Sequence, residues 1–175
     1  TLRIEKSGEV IPKCVGVVPE KQPAGSQVFQ IPMVCPACGE PAVREETADI
    51  KCVNLNCPAQ LERLICHFVG RGAMDIKGFG AVYVHDLIAE GYLKDVADIF
   101  TLSQYREELI QKGIVGKVKN TDKLLAAIEK AKQNPPDRLL TGLGISNVGK
   151  SAAQALMNHF GTMDALAQAT EEEMM

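Results

Sequence analysis

A mainly helical chain with a small β-rich head follows from three observations. Two close cysteine pairs stand thirteen residues apart, the hydrophobic period turns helical just after them, and a turn ending in a hydrophobe and a glycine then recurs along the helical part. The expected order is the end of a β barrel or sheet with its linker over 1–27, a four-cysteine zinc ribbon over 28–58, and tandem helix-hairpin-helix repeats over 59–175. With 175 residues there is room for one or two small domains and none for a multidomain enzyme.

The cysteines read Cys35-Pro36-Ala37-Cys38-Gly39 and then Cys52-Val53-Asn54-Leu55-Asn56-Cys57-Pro58. Each pair sits at a tight turn, and Ala42-Val43-Arg44-Glu45-Glu46 with Asp49-Ile50-Lys51-Cys52-Val53 can form two short strands that bring the turns face to face. Cys35, Cys38, Cys52 and Cys57 would then fill a tetrahedral Zn²⁺ shell with no place left for water, which makes the site structural rather than catalytic. Two disulfides are the alternative. Nothing resembles a secretory signal, and thiols in a reducing cytoplasm stay reduced or bind metal. Cys14 and Cys66 lie outside the pattern and read as small apolar side chains.

The overall charge of −3 argues weakly against nucleic acid, so any such partner must be met by local charge. No apolar run approaches the roughly 20 residues that cross a bilayer, and no membrane partner is expected. The chain opens on Thr1 and stops in an acidic run, Glu171-Glu172-Glu173-Met174-Met175, as a segment of something longer would.

Residues 1–18 alternate apolar and polar around Ser7-Gly8, which predicts a hairpin too small to bury a core alone. Residues 19–27 form a polar, proline-containing linker, and Val28 to Val34 is expected as a short strand. From Pro58 on, Leu61, Leu64, Ile65 and Phe68 fall on one helical face. A turn at Asp75–Gly80 leads to a second helix carrying Val84, Leu87 and Ile88. The arrangement returns with a helix at Glu107–Gln111, a turn at Lys112–Lys117, and a stripe of Leu124, Leu125, Ile128 and Ala131. It returns again with a helix over Pro135–Thr141, a turn at Gly144–Lys150, and a stripe of Ala153, Leu156, Met157 and Phe160. The triads Gly78-Phe79-Gly80, Ile114-Val115-Gly116 and Asn147-Val148-Gly149 place their last glycines 36 and then 33 residues apart. A further helix at Met163–Ala169 and a capping box at Thr170–Glu173 would open a fourth repeat.

In such a unit the hydrophobe plugs the space between two helices, while the glycines let the backbone turn. Amides at the start of the second helix are left unpaired, and with the helix dipole they favour an anion such as phosphate. Lysines flank the turns at Lys77, Lys112, Lys117, Lys119 and Lys150. The candidate DNA-binding residues are therefore Lys77, Gly78, Gly80, Gly113, Gly116, Lys117, Asn147, Gly149 and Lys150. Sites at fixed spacing would track duplex phosphates across the minor groove without reading base edges, with affinity that falls steeply with salt. The opposing view makes the repeats a packing device and the lysines a solvated face.

Gly144-Ile145-Ser146-Asn147-Val148-Gly149-Lys150-Ser151 also matches the phosphate-loop pattern of nucleotide hydrolases. That loop must follow a buried strand, yet the residues before it read as helix, and Gly78-x-Gly80 likewise lacks the strand and third glycine of a dinucleotide fingerprint. His67, His85 and His159 sit on separate helical segments. No catalytic constellation assembles, and no catalytic residue is assigned.

In these residues the chain resembles the C-terminal half of bacterial NAD-dependent DNA ligases over essentially its entire length. Arg3 to Val18, with Gly8-Glu9-Val10-Ile11-Pro12, looks like the end of that family's oligonucleotide-binding (OB) barrel, and the four cysteines match its zinc ligands. Cys57-Pro58-Ala59-Gln60-Leu61 and Gly72-Ala73-Met74-Asp75-Ile76-Lys77-Gly78-Phe79-Gly80 match the first hairpin unit, and Leu143 to Gly149 the third. The resemblance implies a bacterial, cytoplasmic, nucleoid-associated protein that grips nicked double-stranded DNA in replication and repair, joined in cis to the remaining ligase domains. In the family a lysine in a Lys-x-Asp-Gly motif takes AMP from NAD, with Mg²⁺, passes it to a 5′-phosphate, and a 3′-hydroxyl displaces it. This sequence has no Asp-Gly dipeptide. NAD and Mg²⁺ chemistry is therefore expected outside it, and the chain alone should not ligate.

The second repeat departs from the family's usual Gly-Phe-Gly-Glu-Lys-Ser-Ala stretch and is one residue longer before Leu124. Two roles stay open to it, phosphate binding or packing. The alternative for the whole chain is a non-enzymatic zinc and helix-hairpin-helix scaffold of a recombination or repair complex, although in a known mediator of that kind the hairpin precedes the cysteines.

Overall fold

The computed structural model describes residues 1–8, 11–44, 49–54 and 56–174. The expected strand residues Glu45 and Glu46, Glu9 and Val10 of the stretch likened to the OB barrel, and Leu55 lie outside the described residues. Two compact units are present, Thr1–Met33 and Val34–Met175.

In the first unit β1 (Leu2–Ser7) pairs antiparallel with β2 (Ile11–Val17), in register from Leu2 opposite Val17 to Ser7 opposite Ile11, with a bulge between Arg3 and Ile4. Gly8, just after β1, has a left-handed φ of 63°. Leu2, Ile4, Ile11, Val15 and Val17 are all exposed, so the hairpin closes no core of its own. Val28 to Val34 does not form the expected strand. Residues 28–33 pair with nothing among the described residues, and only Val34 bridges to Pro41. A lone extended segment has no ladder to stabilise it, and Pro32 offers no amide to one.

The second unit starts with β3 (Ala42–Arg44) and β4 (Ile50–Cys52), an antiparallel pair. Helix α1 (Pro58–Val69) follows, then α2 (Ala81–Ala89), a 3-10 stretch (Ala97–Tyr105), α3 (Arg106–Lys112), α4 (Val118–Ala131), α5 (Pro136–Gly142), α6 (Lys150–Phe160), α7 (Met163–Gln168) and α8 (Glu171–Met174). The mainly helical class with a small β head is the one expected. Helices α1/α2, α3/α4 and α5/α6 are the three hairpin units. Thr162 caps α7 by accepting from the Ala165 amide, and Glu173 reaches back to the Thr170 amide at 2.9 Å, the capping box read in the sequence.

One core joins the first two hairpin units. Ile65 and Phe68 of α1, Val84 and Leu87 of α2, Leu109 of α3, and Leu124 and Ile128 of α4 are buried together with Phe79 and Val115 from the turns. Ile99 and Leu102 of the 3-10 stretch are wholly buried in the same cluster. A separate small cluster of Leu140, Ala153 and Met157 holds the third unit. Among the described residues no helix is long and apolar enough to cross a membrane.

Candidate metal centre and nucleic-acid interface

The Sγ atoms of Cys35, Cys38, Cys52 and Cys57 lie within 4.8 Å of one another. Cys35 and Cys57 are 3.9 Å apart and Cys38 and Cys52 3.6 Å. Four thiolates about 2.3 Å from one ion at tetrahedral angles stand about 3.8 Å apart, whereas a disulfide would need about 2.05 Å. The residues therefore fit Zn²⁺, and the four cysteines are free of disulfides.

The local chain builds this cluster. Gly39, at φ 76°, donates to the Cys35 carbonyl and the Cys35 amide donates to Glu40, which closes the first turn. The amides of Cys38 and Ala37 stabilise a thiolate at Cys35, whose pKa falls to about 7. At Cys52 the Asn54 amide acts in the same direction, but burial and the neighbouring sulfurs outweigh it and lift the thiol to about 11. A dication bound here would offset the charge of four neighbouring thiolates. Cys57 is also the N-cap of α1, with Pro58 in its first turn, so the positive end of the helix dipole faces the thiolate cluster. Gln60 ties the helix back to the ribbon by donating to the Cys52 carbonyl. Cys14 is exposed and Cys66 half-buried, and neither belongs to the cluster.

The hairpin turns share a backbone pattern. Each carries two left-handed residues three positions apart: Asp75 (49°) and Gly78 (82°), Gly113 (68°) and Gly116 (89°), Gly144 (67°) and Asn147 (66°). In the first and third units the second corner is followed by a buried or half-buried hydrophobe, Phe79 or Val148, and then by a glycine N-cap, Gly80 or Gly149. The Phe79 amide donates to Ile76 and the Val148 amide to Ile145 in matching fashion. The Gly80, Ala81, Val82 and Tyr83 amides, like those of Gly149, Lys150, Ser151 and Ala152, meet no acceptor among the described residues.

The second unit is not a copy, and the triad Ile114-Val115-Gly116 is not the equivalent of the other two. Its left-handed corner falls on Gly116 instead of Ile114, and the N-cap on Lys117. The buried plug, Val115, precedes the corner. Gly113 donates to Ile110 and Gly116 to Gly113, so both amides are already paired within the chain. Lys112 is bound to Glu90 at 2.7 Å and lies over the Tyr92 ring.

Gly80 and Gly149 have φ of −83° and extended ψ, which any residue adopts. A Cβ on either would meet nothing within 4 Å. Neither needs to be glycine for the sake of its own fold. Lys77 pairs with Asp75, and a groove beside it is lined by Gly78, Tyr83, Asn120 and Lys123.

Residues 34–59 match the family model described as the NAD-dependent DNA ligase C4 zinc finger domain, and residues 138–175 match the helix-hairpin-helix motif. Over its full length the chain is 45% identical to a DNA ligase of Clostridium kluyveri, covering 26% of it. It is 45% identical to a DNA ligase of Symbiobacterium thermophilum over 99% of the chain and 26% of the relative, and 46% identical to one of Acidobacterium capsulatum over 99% and 25%. The chain is similar to a segment of NAD-dependent DNA ligases. It spans about a quarter of the length of the relatives it matches.

The zinc site of this chain is structural, since four protein sulfurs complete the shell. The match to the phosphate-loop pattern is accounted for: α5, a helix, stands where that loop requires a strand. The histidines are engaged singly, His67 with the Thr141 carbonyl, His85 with Glu62 and His159 against the Phe160 ring. Asn120 and Lys123 went unread because they are one turn inside α4 and meet the first hairpin only in space. The bonds of Asn134 and Arg138 to the first hairpin turn were also missed. They cross 60 or more positions, and no local signal marks them.

Proposed function

We propose that this chain is the duplex-gripping part of a nick-sealing, NAD-dependent DNA ligase of the bacterial cytoplasm and nucleoid, acting on nicked double-stranded DNA in replication and repair. The carrying observation is the pair Gly80 and Gly149. Both cap helices with unpaired, outward amides, and both leave open space that their own fold does not require. A backbone phosphate needs such an approach, since a side chain there would hold it off the amides. Lys77 with Gly78 and Lys150 with Asn147 flank the two sites, while Lys117 serves the second unit through its side chain. In the second unit the amides of Gly113 and Gly116 are paired within the chain, while those of Lys117, Val118 and Lys119 at the start of α4 meet no acceptor among the described residues. Zinc fixes the ribbon on α1, ahead of the hairpins in the chain, and the β-rich head is read as the end of an OB barrel. Nucleotidyl transfer with NAD and Mg²⁺ belongs to the remaining domains of such a ligase, because no Lys-x-Asp-Gly sequence occurs here.

Titration of the zinc-loaded chain against labelled nicked duplexes of unrelated sequence, followed by fluorescence anisotropy at several salt concentrations, tests this reading. Similar affinities for all sequences and a steep loss with salt are expected. Gly80→Val with Gly149→Val should weaken binding at least tenfold while zinc content and helix content stay unchanged. Undiminished affinity in the folded double variant would overturn the amide contacts.

A further inference from the structure

The turn between α1 and α2 presents three backbone carbonyls to the third hairpin unit. Arg138 Nη2 donates to the Arg71 carbonyl at 2.8 Å and Arg138 Nε to Ala73 at 2.6 Å, while Asn134 Nδ2 donates to Met74 at 2.6 Å. A fourth bond runs the other way, from His67 Nε2 to the Thr141 carbonyl at 2.9 Å. Beneath them Gly142 approaches so closely that a Cβ would stand 2.9 Å from the Phe68 ring. The main apolar core touches the third unit through half-buried Leu139 of α5, while that unit's own buried residues form a separate small cluster. Directional bonds from a planar guanidinium and an amide fix a geometry that a slippery apolar contact would leave free.

We propose that Asn134 and Arg138 are positioning residues, a latch that sets the spacing between the helix starts at Gly80 and Gly149. The carbonyls they hold lie in the turn that leads into α2, and they themselves stand at the start of the unit that leads into α6. The inference rests on the duplex-binding reading above and adds to it: both phosphate sites engage one duplex only at a fixed separation. Two linked sites reinforce each other when their geometry matches the target, and the gain is lost when the link loosens.

The test has two arms on the zinc-loaded 175-residue chain. In the first, spin labels are placed through genetically encoded keto side chains at exposed Val82 and Gln154, leaving the native thiols untouched, and their separation is read by pulsed dipolar spectroscopy. The distance distribution should be narrow in the parent and broaden in Asn134→Ala and in Arg138→Gln. An unchanged width in both variants overturns the latch whether or not DNA binds.

The second arm measures duplex affinity against salt. Asn134→Ala removes no charge, so a shallower salt dependence in that variant reports lost simultaneous contacts rather than a lost cation. We expect affinity about tenfold weaker and a log–log salt slope smaller by about one to two. A merely structural role would lower the melting temperature and leave the slope of the folded protein unchanged, and that result would overturn the positioning role. A parent chain that binds no duplex at any salt would overturn the function proposed above, and the distance arm would still decide the latch. Should Arg138→Gln fail to fold, Asn134→Ala, which loses one neutral bond, carries both arms.

Discussion

Lys77 Nζ lies 2.8 Å from the Asp75 carboxylate, so the lysine of the first hairpin turn is tied to its own loop in the free protein. Lys77, with Arg138 and Arg71 adding to the field, holds the Asp75 carboxyl below its ordinary range against the opposing effect of burial. A depressed carboxyl contributes its stabilisation fully above the ordinary carboxylate range and loses it as pH falls through the lowered value. Near neutral pH, Asp75 is therefore always a negative charge beside the proposed phosphate site. Asp75→Asn keeps a residue that tolerates the left-handed φ of 49°. It should tighten duplex binding several-fold and steepen the log–log salt slope by about one. Anisotropy titration at three salt concentrations reads both, and weaker binding would mean that Asp75 organises the turn instead of restraining Lys77.

Chelation should dismantle the ribbon and leave the helical core standing. None of the four cysteines belongs to the buried cluster that joins the first two hairpin units. The chain should hold one equivalent of zinc, and its removal should fray the first turn of α1, whose N-cap is Cys57. Protons compete with the metal for thiolates, so retention should fail as pH falls, with proton uptake on release. Metal analysis after dialysis against a chelator, with amide exchange in α1 and α4, separates the two regions. Simultaneous loss of protection in α4 would show that the core depends on zinc.

Gly142→Ala offers a test of the close contact between α5 and α1. Alanine in place of glycine in a helix interior gains about 1 kcal/mol, and Gly142, the last residue of α5, gains no more than that. Here the new Cβ meets Phe68 Cδ2 at 2.9 Å, and Phe68 is wholly buried and packed edge-on against Phe100. Overpacking of such a site costs about 1–3 kcal/mol, which outweighs the propensity gain. Urea denaturation should show a net loss of stability, and a stabilised variant would mean that the α1–α5 contact yields easily.

How much of this was legible in the sequence depended on the range of the interactions. The zinc ribbon was, because its spacing is local and its chemistry admits few occupants. The hairpin units were too, since each carries its stripe and corner within one stretch. The strand expected at Val28–Val34 failed because a strand is made by its partner, and apolar residues alone do not supply one. The 3-10 stretch Ala97–Tyr105 escaped notice between two clearer helices. Its start is fixed by a reciprocal pair, with Asp95 accepting from the Ala97 and Asp98 amides and Asp98 from those of Lys94 and Asp95. The triad at Gly116 was aligned by its letters, whereas its corner lies two residues later than the pattern implied. Letters record the plug and the glycine without saying which of them turns the chain.

That difference separates stability from binding in the two kinds of hairpin. Gly116 sits at φ 89°, where an alanine costs about 1–2 kcal/mol, and its added Cβ would press on the Asn120 side chain. Its amide already serves Gly113, so it has nothing to offer a phosphate. Gly149 sits in extended backbone with open space, so Gly149→Val costs at most about 1 kcal/mol in capping. Gly116→Ala should therefore lower the melting temperature and leave the duplex affinity of the folded protein unchanged. Gly149→Val should weaken binding with little change in melting. Calorimetric melting and anisotropy titration on the same two variants decide the matter. Weaker binding by folded Gly116→Ala would assign Gly116 itself a phosphate contact that its paired amide argues against.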